Sequence, residues 1–269
     1  MENELAALEA ASGTKIGVFL RDTANNVTLQ SRSGERFPFC STFKVMLVAA
    51  VLEQSRKEPG IMQQHIPYTQ KDLVSWSPVT EKHIAAGMTV AELSAAALQF
   101  SDNTATNLLL RLLGGPDAVT SYARSIGDSS FTLNRWEPDL NTVLPGDERD
   151  TTTPAAMGES LRRLVLGDTL PLPQREQLQS WLRGNTTGDQ SIRAGVPAGW
   201  VVGDKTGSGA YGTTNDIAVL WPPAGEPLIL VIYLTHADET APNRKDILVQ
   251  VTRLLVQTWQ TRTHFSTAP

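Results

Sequence analysis

The chain has 269 residues, 41% of them hydrophobic and 19% charged, with 23 Lys and Arg against 28 Asp and Glu for a formal net charge of −5. That composition folds, and the length suits one large domain or two intimately packed ones. The mild acidity argues against a nucleic-acid partner, which needs a basic stripe, and no run of about 18 apolar residues is present to span a membrane.

A single cysteine, Cys40, leaves no intramolecular disulfide. The start, Met1-Glu2-Asn3-Glu4, is acidic and helix-prone. It lacks the basic, apolar and cleavage regions of an export signal, which fits a cytoplasmic protein or an exported one already processed. His65, His83, His236 and His264 stand at no metal-ligand spacing to one another or to Cys40, so no metal site is expected.

Lys15 to Leu20 and Val27 to Gln30 read as strands, joined across the turn formers Asp22 to Asn26 as a hairpin. A helix-rich middle follows. Ser41 can open a helix through Val45, Leu47, Val48 and Leu52. Thr89 and Glu92 form a capping-box pattern before Val90 to Phe100. Asn103 to Leu113 is stopped by Gly114-Gly115-Pro116, and Ala118 to Ile126 by Gly127. The stretch 134–150 is polar and aperiodic; a loop that long inside a compact domain is usually functional or disordered. Helices from Pro154 toward Leu166 and from Pro173 to Leu182 come next.

Strands return at Trp200 to Lys205, Asn215 to Leu220 and Leu228 to Leu234, before a last helix, Lys245 to Trp259. Ile247, Val251, Leu254, Leu255 and Trp259 share one face of that helix. Strands from both ends of the chain can form one antiparallel five-stranded sheet, with the helical block inserted between them. The expected fold is therefore α+β, with a sheet domain from 1–35 plus 190–269 and an all-α domain from 36–189.

Three short patterns could carry chemistry. Ser-x-x-Lys occurs twice. At Ser12 to Lys15 it runs into a strand, where residues three apart face opposite sides; at Ser41-Thr42-Phe43-Lys44 it sits at a helix start. There lysine can reach a serine hydroxyl and activate it as a nucleophile. Alone, the pattern fits a plain N-cap equally well. Ser101-Asp102-Asn103 pairs a hydroxyl with an amide in a loop, and also fits simple turn chemistry. Lys205-Thr206-Gly207-Ser208-Gly209 ends a strand with two carboxylate-gripping side chains and two glycines that allow close approach, or is only a strand and a turn.

In this order the three patterns form a known catalytic set. Through them the chain resembles the penicillin-interacting serine enzymes, the penicillin-binding proteins and serine β-lactamases. Glu137-Pro138-Asp139-Leu140-Asn141 in the long loop is similar to the omega-loop signature of class A β-lactamases. Phe37, Asn107, the Arg135 and Asp150 pair, and Pro197 to Trp200 extend the likeness along nearly the whole chain.

The resemblance implies a serine β-lactamase that hydrolyses penicillins and cephalosporins through an acyl-enzyme on Ser41. The implied catalytic residues are Ser41, Lys44, Ser101, Glu137 and Lys205, with Lys44, or Glu137 through a water, as acylation base and Glu137 as deacylation base. The implied substrate-binding residues are Asn103, Asn141, Thr206, Gly207, Ser208 and Trp76. Backbone N–H groups of Ser41 and Ser208 would form the oxyanion hole, and Asn107 would support the loop. No cofactor is implied. A monomer with a small-molecule β-lactam substrate is expected, periplasmic or secreted in its mature form.

Some positions depart from the family pattern. Thr214 stands where many members have arginine, with Arg244 and Lys245 as candidate substitutes. Ser208, with the run Tyr211 to Asp216, resembles the cephalosporin-active branch. Cys40 precedes the nucleophile as in carbapenem-hydrolysing relatives, but Gly209 lies near where its partner belongs, so strong carbapenem hydrolysis is not expected. A D-alanyl-D-alanine peptidase and a β-lactam sensor would share three patterns but not the Glu137 loop; an interaction domain would match by chance alone.

Overall fold

The computed structural model describes the backbone of residues 1–266 and the side chains of 1–262. In chain order the elements are α1 (Glu2–Ser12), β1 (Thr14–Asp22), β2 (Thr28–Ser31), β3 (Phe37–Pro38), α2 (Lys44–Lys57), β4 (His65–Ile66), β5 (Met88–Thr89), α3 (Val90–Gln99), α4 (Asn103–Leu113), α5 (Pro116–Ser125), β6 (Thr151–Thr152), α6 (Pro154–Val165), α7 (Leu172–Arg183), α8 (Ile192–Gly195), β7 (Val201–Ser208), β8 (Thr214–Trp221), β9 (Leu228–His236) and α9 (Lys245–Ser266). The main sheet is antiparallel in the order β2-β1-β9-β8-β7, so the N-terminal hairpin joins the three C-terminal strands through β1 and β9 in one sheet, as expected.

The central strand β9 explains why its sequence is apolar without alternation. Leu228, Leu230, Ile232 and Leu234 enter one core with Ile247, Leu248, Val251 and Leu255 of α9. Ile229, Val231 and Tyr233 enter a second core with the helical block. Each face of the sheet is covered, so both sets must be apolar. On the helical side α6 lies against β1 so closely that a Cβ on Gly158 would sit 2.3 Å from the Phe19 ring.

Helix α2 runs through the middle of the helical block, and every residue from Lys44 to Leu52 is buried. A helix buried all round has no polar face to show in its sequence. Around it, α3 starts on the Thr89–Glu92 capping box, and α4 starts on Asp102, whose carboxylate accepts the Ala105 N–H.

Several boundaries differ from the sequence reading. Helix α5 begins at Pro116, because proline at N1 lacks only an N–H that would be unpaired there anyway. Strand β7 continues through Ser208, so Lys205 to Ser208 belong to the strand rather than following it. Ser41 is no N-cap. It lies inside a 3-10 turn, Cys40–Phe43, that leads directly into α2 without a side-chain cap. Of the expected face of α9, Ile247, Val251 and Leu255 are fully buried while Leu254 and Trp259 are partly so.

Candidate active site

The turn carrying Ser41 is shaped by what surrounds it. Cys40 is buried with φ +46, a left-handed conformation that reverses the chain ahead of the serine. Phe39 stacks on Phe131 and tilts against Phe43, and the Thr42 hydroxyl hydrogen-bonds to the Phe39 carbonyl at 2.8 Å. Asn215 on β8 donates to the carbonyls of Pro38 at 2.8 Å and Phe39 at 3.2 Å, tying the turn to the sheet. A Cβ on Gly207 would meet the Phe39 carbonyl at 2.8 Å and the Ser41 nitrogen at 3.0 Å, so glycine lets β7 run alongside the turn.

The Ser41 hydroxyl hydrogen-bonds to Glu137 Oε1 at 3.4 Å. Lys44, although one turn away from Ser41, donates to the Ser101 carbonyl (2.9 Å), Ser101 Oγ (3.2 Å) and Asn103 Oδ1 (2.7 Å), and pairs with Glu137 Oε1 at 3.3 Å. Burial pushes its pKa down, opposed by the Glu137 charge. Ser101, held at φ +56, also accepts from Lys205 Nζ at 3.0 Å. Its oxygen thus sits between two lysines. Lys205 is fully buried; desolvation, and then the Lys44 charge, bring its pKa down to about 7.

Glu137 is buried and held at both ends. Asn107 brackets its backbone, accepting the Glu137 N–H at 3.0 Å and donating to the Glu137 carbonyl at 2.8 Å. Asn141 Nδ2 donates to Oε2 at 2.6 Å, and Asn141 Oδ1 is a buried acceptor with no partner among the described residues. The Glu137–Pro138 peptide is cis. Arg135 closes the loop on Asp150 at 2.6 Å, as the sequence reading paired them.

The remaining expected residues are at the same opening. The Trp76 ring is exposed, its indole donates to the Phe100 carbonyl, and its own carbonyl accepts the Asn103 N–H. Asn103 donates through Nδ2 to the Ser75 carbonyl at 2.9 Å. Ser208 is exposed, and Thr206 lies 2.6 Å from the Thr187 hydroxyl. Thr187, Asn185, Asp204, Asp216 and Arg193 form a polar layer behind Thr206 that sequence reasoning missed. For Asn185 and Thr187 the only signal was the polar run Asn185-Thr186-Thr187-Gly188, which reads as an ordinary turn.

The Thr214 hydroxyl accepts the Arg244 N–H at 2.9 Å, so Arg244 does lie beside the position that lacks arginine. Its guanidinium is paired with Asp246 at 2.6 Å, while Lys245 is exposed. A Cβ on Gly209 would lie 2.7 Å from Cys40 Sγ, and the buried Cys40 thiol has its pKa pushed up by desolvation. Among the described residues no cluster of His, Cys, Asp and Glu could hold a metal ion. The His264 side chain lies outside them.

The chain matches the model of the beta-lactamase enzyme family over residues 1–259. It is 56% identical to β-lactamase OXY-2 of Klebsiella oxytoca, over 96% of this chain and 89% of that protein. It is 55% identical to β-lactamase CTX-M-8 of Citrobacter amalonaticus, over 95% and 88%. Two solved structures superpose closely. One is a β-lactamase from Desulfarculus baarsii DSM 2075, with TM-score 0.94, 54% identity and 96% of each chain covered. The other is a mutant of the last common ancestor of Gram-negative bacteria β-lactamase class A, with TM-score 0.93 and 52% identity over 96% of this chain and 98% of that one.

Proposed function

The chain belongs to the beta-lactamase enzyme family and is a class A β-lactamase, a hydrolase of β-lactams, and from that premise we propose how its residues carry the reaction. Ser41 Oγ attacks the lactam carbonyl carbon and passes its proton to Lys44 or to Glu137, so acylation has a base off the loop as well as on it. Both are supported: the Ser41 hydroxyl is bonded to Glu137 Oε1, and Lys44, one turn from Ser41 with its pKa lowered by burial, pairs with that same oxygen. The oxyanion is met by the backbone N–H groups of Ser41 and Ser208; the close approach of Gly207, next to Ser208, to the Ser41 nitrogen supports that pairing. Ser101 accepts from both lysines, which leaves its own proton for the departing ring nitrogen.

The C–N bond breaks, an ester on Ser41 remains, and the proton taken from Ser41 passes through Lys44 to Ser101, replacing the one given to the nitrogen and leaving Glu137 ionised. Glu137 then takes a proton from water, with the unpartnered Asn141 Oδ1 as a second acceptor for that water. Attack on the ester releases the ring-opened acid and restores Ser41. Lys205, Thr206 and Ser208 bind the substrate carboxylate, Asn103 its side-chain amide, and Trp76 forms the wall of the opening. Penicillins and cephalosporins are the substrates, and their hydrolysis removes the antibiotic. Arg244 is the candidate substitute for the family arginine, supported by its bond to Thr214, and Lys245 the weaker one.

The two cores on opposite faces of the sheet support division into a sheet domain, 1–35 plus 190–269, and a helical domain, 36–189. A monomer is proposed, since the mechanism asks for no residue from a second copy. Periplasmic or secreted action is proposed from the class A relatives; among the described residues no helix is long and apolar enough to cross a membrane.

The single observation that carries the mechanism is the continuous contact Ser41–Glu137–Lys44–Ser101–Lys205. Absorbance loss and intact mass, followed together with excess benzylpenicillin, test it. The native chain should turn over many equivalents with little adduct, Ser41→Ala none, and Glu137→Ala should accumulate a stoichiometric adduct. Turnover by Ser41→Ala, or no adduct on Glu137→Ala, would overturn the assignment.

A further inference from the structure

Thr206 faces the site with one hydroxyl proton, and the hydrogen bonds behind it determine where that proton points. Asp204 Oδ1 accepts from Arg193 Nε at 2.6 Å, and Oδ2 accepts from Asn185 Nδ2 at 2.9 Å. The Arg193 guanidinium on Oδ1 keeps Asp204 ionised although burial raises its pKa, as burial raises that of its neighbour Asp216 well above the usual range. An ionised carboxylate only accepts, so Asn185 must present its amide nitrogen to Asp204 and its carbonyl oxygen to Thr187. The direction then propagates. Thr187 Oγ1, 2.9 Å from Asn185 Oδ1, donates to it. Thr187 can therefore only accept from Thr206, 2.6 Å away. In this arrangement the Thr206 proton points inward and the site is offered only oxygen lone pairs, which repel a carboxylate.

A reversal is built in. Asn185 Oδ1 also accepts the Thr187 backbone N–H at 3.1 Å, so the Thr187 hydroxyl can turn away without leaving that carbonyl unpaired. It then donates to Thr206, and Thr206 donates outward. The scaffold stays fixed meanwhile. Asn185 is buried, a Cβ on Gly188 would lie 2.1 Å from Asp204 Oδ2, and the Gln99 carbonyl accepts both the Thr186 N–H (2.9 Å) and its hydroxyl (2.7 Å).

We infer that Thr187 is a positioning residue, a two-way hydroxyl relay that turns the Thr206 proton outward when the substrate's ring carboxylate arrives. This rests on the reading of Thr206 as a carboxylate-binding residue. In the bound state Thr206 accepts from Thr187 while donating to the carboxylate, and each bond polarises the other. A valine at 187 keeps the shape and removes the relay.

The test compares kcat/KM for benzylpenicillin and for its methyl ester. Thr187→Val should lose roughly five-fold on the acid, the worth of one hydrogen bond, with kcat kept within about two-fold and the ester unaffected. Thr187→Ser, which keeps the hydroxyl, should behave as the native chain. An equal loss on acid and ester would reduce Thr187 to a structural role, and an unchanged or improved value on the acid would exclude the relay. Thr206→Val separates the two readings. If it discriminates acid from ester while Thr187→Val does not, the relay alone fails; if it does not discriminate, Thr206 is not the carboxylate partner and the relay falls with it.

Discussion

On the proposed reading Lys205 binds the substrate carboxylate, which it can do only while protonated, yet its surroundings favour the neutral amine. It is fully buried, and desolvation followed by the Lys44 charge brings its pKa from the ordinary 10.5 down to about 7. The alkaline limb of kcat/KM for benzylpenicillin should therefore fall near pH 7, not near 10.5. Lys205→Arg, which stays protonated, should move the limb upward at a lower absolute rate. A limb unmoved by that variant would mean that another group controls it. Stability responds in the opposite sense. Between pH 7 and 10.5 the unfolded chain holds this proton more often than the folded one, so the group's contribution to stability rises with pH across that window. Activity and stability should thus part company above neutrality, and a thermal-denaturation series run beside the kinetic profile reads both.

The loop 134–150, which carries Glu137, sends one side chain, Leu140, into the helical core. Its rear face borders a cavity of about 660 Å³, which Leu140, Val143 and Leu144 line. What fixes the loop is its closure: Asp150 is buried and accepts from Arg135 Nε at 2.6 Å and from the backbone N–H groups of Asn134 at 2.7 Å and Arg135 at 3.0 Å. Removing one partner of a buried pair strands the other, at roughly 3–5 kcal/mol. Asp150→Asn should lower Tm by on the order of 10 °C and slow deacylation more than acylation, because Glu137 moves with the loop while Ser41 does not. Rapid-quench mass spectrometry separates those steps; equal slowing would refute this division. That closure was legible in the sequence because Arg135 and Asp150 bound an aperiodic stretch of familiar form. The Thr89–Glu92 cap and the apolar run of β9 were legible because local spacing alone determines them. The turn at Ser41 was not. A cap and a 3-10 turn look alike in four residues, and here the choice is made by Phe131 and Asn215, which are remote in the chain. The two-residue pairs β3–β6 and β4–β5 are too short to carry a period, and the Thr187 relay lies in a turn whose meaning comes from Asp204 behind it.

Across the whole molecule the reacting groups stand where the inserted helices meet the sheet. Ser41 and Lys44 come from the turn and the first residue of α2, Ser101 from the approach to α4, Glu137 from the loop, and Lys205 from the edge strand β7. Neither part holds a complete site, so catalysis depends on how closely β7 lies against the turn. Gly207 sets that distance. A methyl group there would meet the Phe39 carbonyl at 2.8 Å, the Ser41 nitrogen at 3.0 Å and the Thr42 nitrogen at 3.1 Å. All three are backbone atoms, which cannot swing aside as a flexible side chain would. Gly207→Ala must push the strand and the turn apart, and the Ser41 and Ser208 N–H groups separate with them. Loss of one oxyanion donor costs about 10²–10³ in rate, so acylation should slow by at least about 10²-fold. The far-UV circular dichroism should not change, since β7 keeps its full pairing with β8. Gly34→Ala, with nothing within 4 Å of the new methyl, is the matched control and should acylate normally. Stopped-flow acylation at the native rate in Gly207→Ala would mean that the oxyanion is stabilised elsewhere and that the seam only joins the two parts.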